Sequence, residues 1–251
     1  MDIVWLSANR FGYELLKESK KIKSKDINIK AIVTLSDKAT TKMYDKIERK
    51  KWDEFGINVF EIQQVNEESV LLESLSPDLI LMCGWRQKIN KNIIDIPKNG
   101  IVGFHPTLLP IGRGSAPIIN SILEGFKKSG VTMFYIGEGF DDGDIIGQEE
   151  FTIDETDCAG VVYDKVIESG RKLVFKYVPL LSQGISPRIA QDNSMATIFE
   201  KRNLQGNRID LEKDTIDEIF RKIRAFSKPY NGAYIEKNKE KIIIWKAELV
   251  K

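Results

Sequence analysis

Histidine is the scarcest reactive residue in this chain: His105 stands alone among 251 residues. That excludes a His-rich metal site, and it excludes any mechanism that hands protons between two imidazoles. Cysteine is nearly absent as well, and Cys83 and Cys158 are too few for a disulfide framework. No run approaches the roughly 18 consecutive apolar residues of a membrane span. The opening MDIVWLSANRFG carries Asp2 where a secretory signal wants positive charge, and its apolar run stops at Leu6. These absences predict a cytoplasmic protein with no membrane partner and no metal. An excess of one charge is missing too. The 38 Lys and Arg residues meet 37 Asp and Glu, which argues against a basic nucleic-acid wrapper and against an acidic tail.

What is present is an ordinary globular composition, 42% hydrophobic and 30% charged, at a length suited to one large core or one domain plus a small appendage. Residues 2–7 read as a buried strand, 13–21 as a helix, 30–35 as a strand, and 37–55 as a loop running into a helix. Strands follow at 56–62 and 78–83, with a helix at 67–75 between them. Further strands are expected at 100–104, 131–136 and 144–153, with helices at 117–124 and 159–181. This alternation predicts an α/β doubly wound fold with a mostly parallel sheet. Past Ser182 the texture changes, and 183–207 reads as polar and mostly irregular. A helix at 216–225 and a hairpin of 233–235 with 241–246 make a small α+β appendage. The expected division is a domain over 1–190 and an appendage over 205–251.

Two glycine-bearing loops each follow an apolar strand and each carries a candidate chemical group. The first is opened by His105, and the second holds Asp141, Asp142 and Asp144. Folds of this class place ligands at the carboxyl ends of strands, so a histidine and an aspartate at two such ends can share one cleft. An imidazole beside a carboxylate is held in one tautomer and can take a proton from an amine or stabilise a developing oxyanion.

The run Gly103-Phe104-His105-Pro106-Thr107-Leu108-Leu109-Pro110, followed by Arg113-Gly114 and Ala116-Pro117, resembles the signature of folate-dependent formyltransferases. Gly130-Val131-Thr132, the stretch Asp141 to Ile146 and Gln148 resemble the same family's downstream pattern. The segment 191–208 and Pro229 to Ala233 resemble the region that follows the catalytic domain in its tRNA and sugar enzymes. The resemblance implies a Rossmann-like formyltransferase domain that moves a formyl group from N10-formyltetrahydrofolate to an amine. By that resemblance His105 and Asp141 are catalytic. The folate would be read, largely by backbone, at Cys83, Gly84, Trp85, Arg86, Gln87 and Ile89, at Leu109 and Pro110, and along Gly137, Glu138, Gly139, Phe140 and Asp141. Trp85 is open to two readings, a stacking wall or core packing.

The family's third catalytic residue is an asparagine, and its position here is Gly103. A glycine has no side chain to donate to an oxyanion, a loss worth about 3–4 kcal/mol unless replaced. Three readings follow: a natural subgroup with another donor, altered chemistry such as formyltetrahydrofolate hydrolysis or folate binding alone, or an engineered substitution. The first is the one expected, since the rest of the pattern is kept.

Three amines compete, those of initiator tRNA, a nucleotide-linked amino sugar and glycinamide ribonucleotide. Glycinamide enzymes usually lack the appendage, and tRNA enzymes carry a larger, basic barrel. Residues 201–251 hold 13 Lys and Arg against 8 Asp and Glu, a modest excess for phosphate-driven binding. The expected function is therefore N-formylation of a UDP-, dTDP- or GDP-linked dideoxyamino sugar for cell-surface glycans, by a homodimer with no stable nucleic-acid partner. A methionyl-tRNA formyltransferase-like enzyme is the alternative. Substrate contacts are expected at Asn9, Arg10, Phe11 and Gly12 after the first strand, at Thr107, Arg113 and Gly114, and at Tyr230. Arg10 and Arg113 read either as phosphate contacts or as surface charge, and Tyr230 as base platform or core.

Overall fold

β1 (Asp2–Leu6) reads DIVWL with little polar interruption because its two faces meet two separate cores. The computed structural model describes residues 1–200 and 206–250. In chain order β1 is followed by α1 (Arg10–Ser19), β2 (Asn28–Leu35), α2 (Arg49–Asp53), β3 (Asn58–Ile62), α3 (Ser69–Ser74), β4 (Leu79–Met82), α4 (Lys91–Ile94) and β5 (Ile101–His105). Then come β6 (Arg113–Gly114), α5 (Pro117–Leu123), β7 (Lys128–Tyr135), β8 (Ile145–Thr152), α6 (Ala159–Ser182) and β9 (Ile198–Phe199). The chain closes with α7 (Ile216–Ala225), β10 (Ala233–Lys237) and β11 (Glu240–Ile244).

The main sheet runs β3-β2-β1-β4-β5-β7-β8. Its first five strands are parallel, and β7 and β8 are antiparallel additions beside β5. Strand order reverses between β1 and β4, which opens the crevice typical of such sheets beyond the carboxyl ends of β1, β4 and β5. One core lies under α1 and α6 and contains Trp5, Leu15, Leu81, Val102, Met133, Val166 and Leu173. The other, on the opposite face, contains Leu6, Val33, Leu72, Ile80, Ile93 and Ile101. α1 and α6 approach closely at Gly170, where a Cβ would lie 2.8 Å from the Phe11 ring.

Several boundaries differ from the sequence expectation. α1 starts at Arg10, not Tyr13, because Asn9 caps it: Asn9 Oδ1 accepts the Gly12 N–H at 3.1 Å. The helix expected by residue 55 is only α2, anchored by the fully buried Trp52. β7 begins at Lys128 because antiparallel pairing with β8 carries the polar residues Lys128 and Ser129 into the ladder. The segment after α6 is less irregular than its composition suggests, since it supplies β9, which pairs in parallel with β6.

In the appendage α7 opens on a capping box between Thr215 and Glu218. β10 and β11 form an antiparallel hairpin over a small core of Ile209, Ile223 and Ala233. Residues 201–205, at the expected boundary, lie outside the described residues. The two parts are bonded together, with Ser227 Oγ accepting the Ala159 N–H and Arg224 donating to the carbonyl oxygen of Asp157. Among the described residues no helix is long and apolar enough to cross a membrane, and no His, Cys, Asp and Glu cluster could hold a metal ion.

Candidate active site

β5 ends on His105, a residue only 6% exposed. Its Nε2 lies 2.7 Å from the carbonyl oxygen of Gly112. A carbonyl can only accept, so Nε2 carries its hydrogen and the ring orientation is fixed. Nδ1 faces Asp141 Oδ2 at 3.4 Å. Structure therefore brings together the two residues that sequence placed in one cleft.

Asp141 has φ +50°, a left-handed conformation that costs a residue with a Cβ about 1–3 kcal/mol. Three contacts hold it there. The Gly114 N–H donates to Oδ2 at 2.8 Å, and Gln191 Nε2 donates to the carbonyl oxygens of Asp141 and Gly143 at 2.9 and 2.8 Å. Gly143 completes the turn, since a Cβ there would sit 1.8 Å from the carbonyl oxygen of Tyr135.

The loop after β5 is set by a hydroxyl buried beneath it. Thr132 Oγ1 donates to the carbonyl of Thr107 and accepts from the Leu109 N–H and Gln148 Nε2, while Gln148 also donates to the carbonyl of Leu109. The Leu109–Pro110 peptide is cis. Gly112 and Gly114 have φ of +72° and +97°, which glycine adopts without strain. The loop's outer edge is stitched to the segment after α6. Gly112 N–H donates to Thr197 Oγ1, Arg113 N–H to the Thr197 carbonyl, and Ser115 N–H to the Phe199 carbonyl. The Arg113 side chain, 8% exposed, donates to Gln191 Oε1 through Nε and Nη2, and to Asn193 Oδ1. Gln191, Asn193 and Thr197 were not among the expected site residues, and a polar segment without periodicity gives no signal that would single them out. Thr107 is buried, with Oγ1 on the Gly112 carbonyl, so it builds this loop.

Gly103 sits two residues before His105 on β5, so any side chain there would share its face. A Cβ at 103 would lie 2.6 Å from Ile136 Cδ1 and 3.5 Å from Met82 Cε. Ile136 thus crowds the position where the family has its asparagine. Met82, Trp85 and Ile136 pack on the same core. The indole Nε1 of Trp85 is buried and meets no acceptor among the described residues.

The other expected folate contacts divide into rim and frame. Burial pushes the Cys83 thiol well up, and the side chain is core. Ile89 and Leu109 are also core. Gly84 turns the chain at φ +67°, its carbonyl accepting from Asn9. Gln87 is taken up by Thr41, Gln63 and Val65. The rim is formed by Arg86, Pro110, and the loop of Gly137, Glu138, Gly139 and Phe140. Glu138 pairs with Lys91 at 3.3 Å, and Lys88 Nζ stands 5.3 Å from the ring centroid of the exposed Phe140.

The turn after β1, where substrate contacts are expected at Asn9, Arg10, Phe11 and Gly12, has its backbone donors already taken. All four N–H groups that begin α1 are satisfied internally. Arg10 donates to the Asp45 carbonyl, Phe11 to Tyr163 Oη, Gly12 to Asn9 Oδ1 and Tyr13 to the Asn9 carbonyl. Asp45 accepts from the Tyr163 hydroxyl, and burial plus that carboxylate push the phenol well up. Asn9, Phe11 and Gly12 therefore build the fold, and Asp45 sets a carboxylate close by. Arg10 pairs with Asp164 at 2.9 Å on the surface. Tyr230 lies edge-on to Tyr44, centroids 5.5 Å apart, and burial pushes its phenol up to about 12. The Arg86 guanidinium stands 5.3 Å from the Tyr44 ring centroid.

The family profile described as formyl transferase matches residues 3–178, and its C-terminal domain profile matches 203–251. A methionyl-tRNA formyltransferase of Bacillus velezensis is 40% identical over 197 residues, 78% of this chain and 62% of that protein. This chain therefore spans less than two thirds of that relative. Another, from Halothermothrix orenii, is 30% identical across the whole chain and 80% of its own length. The crystal structure of an N-formyltransferase from Helicobacter canadensis, in complex with folinic acid and dTDP-3-aminofucose, superposes with a TM-score of 0.74 at 22% identity. The match covers 96% of this chain and 86% of that one, a likeness of fold.

Proposed function

Because the chain belongs to the formyl transferase family, we propose that it moves the formyl group of N10-formyltetrahydrofolate to the amine of a nucleotide-linked amino sugar. The observation that carries formyl transfer is the His105–Asp141 pair at the carboxyl end of β5, 3.4 Å apart. The donor, when bound, supplies the formyl group. The orphan Trp85 N–H fits such a group, since a pterin ring offers acceptors to it. Trp85, Pro110 and the backbone of 137–141 would hold the ring.

The chain's own residues handle the proton. Nε2 is committed to Gly112, so Nδ1 is the working nitrogen. Its 3.4 Å separation from Asp141 Oδ2 exceeds a good N–H···O bond, which leaves the junction free to receive the proton an attacking amine loses. With that proton on Nδ1, Asp141 stabilises the charged ring and the imidazolium answers negative charge growing on the formyl oxygen; the same proton would then pass to the folate nitrogen as its bond to the formyl carbon breaks. The partly buried side chains of Met82, Trp85 and Ile136 would line the apolar side of that oxygen.

Arg86, expected from the sequence as a folate contact, stands over Tyr44, and the exposed Tyr44 ring, backed by the partly buried Tyr230, together with Arg86 supports a nucleotide on the acceptor. Aromatic faces stack a base, and a guanidinium answers phosphate. Arg86→Ala is expected to raise KM for the nucleotide sugar about tenfold or more, the worth of a charged hydrogen bond, with kcat little changed. Steady-state kinetics on 3-amino- and 4-amino-dideoxy nucleotide sugars with formyltetrahydrofolate checks both statements. The sequence relatives favour a second reading, aminoacylated initiator tRNA. Turnover on that tRNA with none across the sugar panel would move the acceptor there, and formate release without any amine would mark a hydrolase.

A homodimer is part of the same reading. β11 pairs only with β10 among the described residues and exposes Ile242 and Ile243, a strand edge suited to a second copy. Ile243→Lys is expected to yield monomers by light scattering, and an unchanged mass would remove β11 from the interface.

A further inference from the structure

We infer that Gln191 is a positioning residue for the His105–Asp141 pair, anchored by Arg113. The inference rests on the formyl-transfer reading for its kinetic consequence and on geometry for the rest. Gln191 touches both site loops through one side chain. Its Nε2 gives one hydrogen to the carbonyl of Asp141 and the other to that of Gly143, and its Oε1 accepts twice from Arg113, at 3.1 and 2.7 Å. Both donors and both lone pairs are used. A flipped amide would set oxygen against two carbonyls and NH2 against a guanidinium, so only one orientation exists.

The anchor is unusual. Arg113 is 8% exposed, yet among the described residues its guanidinium meets no carboxylate, only the amide oxygens of Gln191 and Asn193. A buried cation polarises the amide it binds and strengthens that amide's own N–H donors. Those donors converge on the left-handed turn at Asp141. The circuit closes on itself, because Gly114, next to Arg113, donates to the Asp141 carboxylate. Two of the three guanidinium nitrogens of Arg113 are thereby occupied, which gives this residue work other than binding phosphate.

Gln191→Glu tests this with little change of shape. It keeps acceptors for Arg113 and turns a doubly donating NH2 into an oxygen facing two carbonyls. Expected are an unchanged melting temperature or a higher one, kcat lower by about 10–100-fold as for a misplaced reacting group, and a KM for the folate donor that changes by less than kcat does, because only the Asp141 end of the loop that would hold the ring is touched. The single histidine supplies a readout independent of turnover. The two ring nitrogen-15 signals of His105 are unambiguous in this chain, and Asp141→Asn marks how far they move when the carboxylate is lost. Gln191→Glu and Gln191→Ala are expected to shift them in the same sense. Folded variants with wild-type His105 signals would overturn the inference. Shifted signals in a protein that turns over no amine would sustain it and sink the formyl-transfer reading instead.

Discussion

His105→Gln is expected to lower kcat by about 10²–10⁴-fold, the usual worth of a general acid–base group, with KM near the wild-type value for both substrates. The substitution is chosen because the glutamine amide can still donate to the Gly112 carbonyl, the bond that Nε2 makes at 2.7 Å. The loop is then kept while the working nitrogen at Nδ1 is removed. No second imidazole exists in the chain to take over. Asp141→Asn is expected to fall into the same range, and the double variant little further, because groups that act as a unit lose their function once. Fully additive losses would show that the two residues serve separate steps. Near-normal turnover in His105→Gln would take the imidazole out of the mechanism.

Gly103→Asn is expected to destabilise the protein and lower turnover, although it restores the residue type that the family signature carries. The new Cβ would lie 2.6 Å from Ile136 Cδ1 and 3.2 Å from its Cγ1. Overpacking costs about 1–3 kcal/mol, here toward the lower end because Cδ1 ends a partly buried side chain that can turn, and each kcal/mol lowers the melting temperature by about 2–4 °C at this chain length. Gly103→Asn combined with Ile136→Ala opens the room and is expected to recover the melting temperature relative to the single variant. Turnover of the double variant is expected to stay at or below wild type, because the glycine and the isoleucine are fitted to each other. A gain of about 100-fold, the worth of one oxyanion donor, would show instead that the native site lacks a donor.

The pair at the heart of the site was legible because its signals are local. His105 and Asp141 each follow an apolar strand and sit among glycines, and the alternation of strands and helices put both at one end of the sheet. The start of α1 was missed by three residues because Asn9 looked like part of a loop rather than a cap. The stretch 191–208 was recognised only as a family segment, and its role in holding the site loops was not legible. β6 and β9 are two residues each and have no period to detect. Gln191 and Asn193 gain their meaning from Arg113, 78 and 80 residues earlier. Ile136 against Gly103 is a matter of side-chain volume across neighbouring strands, which no linear spacing records.

That long reach bears on when the site comes into being during synthesis. The last strand of the main sheet ends at Thr152 and the helix that covers it at Ser182, yet the outer edge of the loop carrying the histidine's acceptor waits for Thr197, 85 residues beyond Gly112. Contacts across such separations form late, since closing them costs chain entropy before any contact repays it. A nascent chain can therefore complete its sheet while the outer edge of this loop is still unpinned, and that edge is stitched only once the stretch through Phe199 has left the ribosome and folded back.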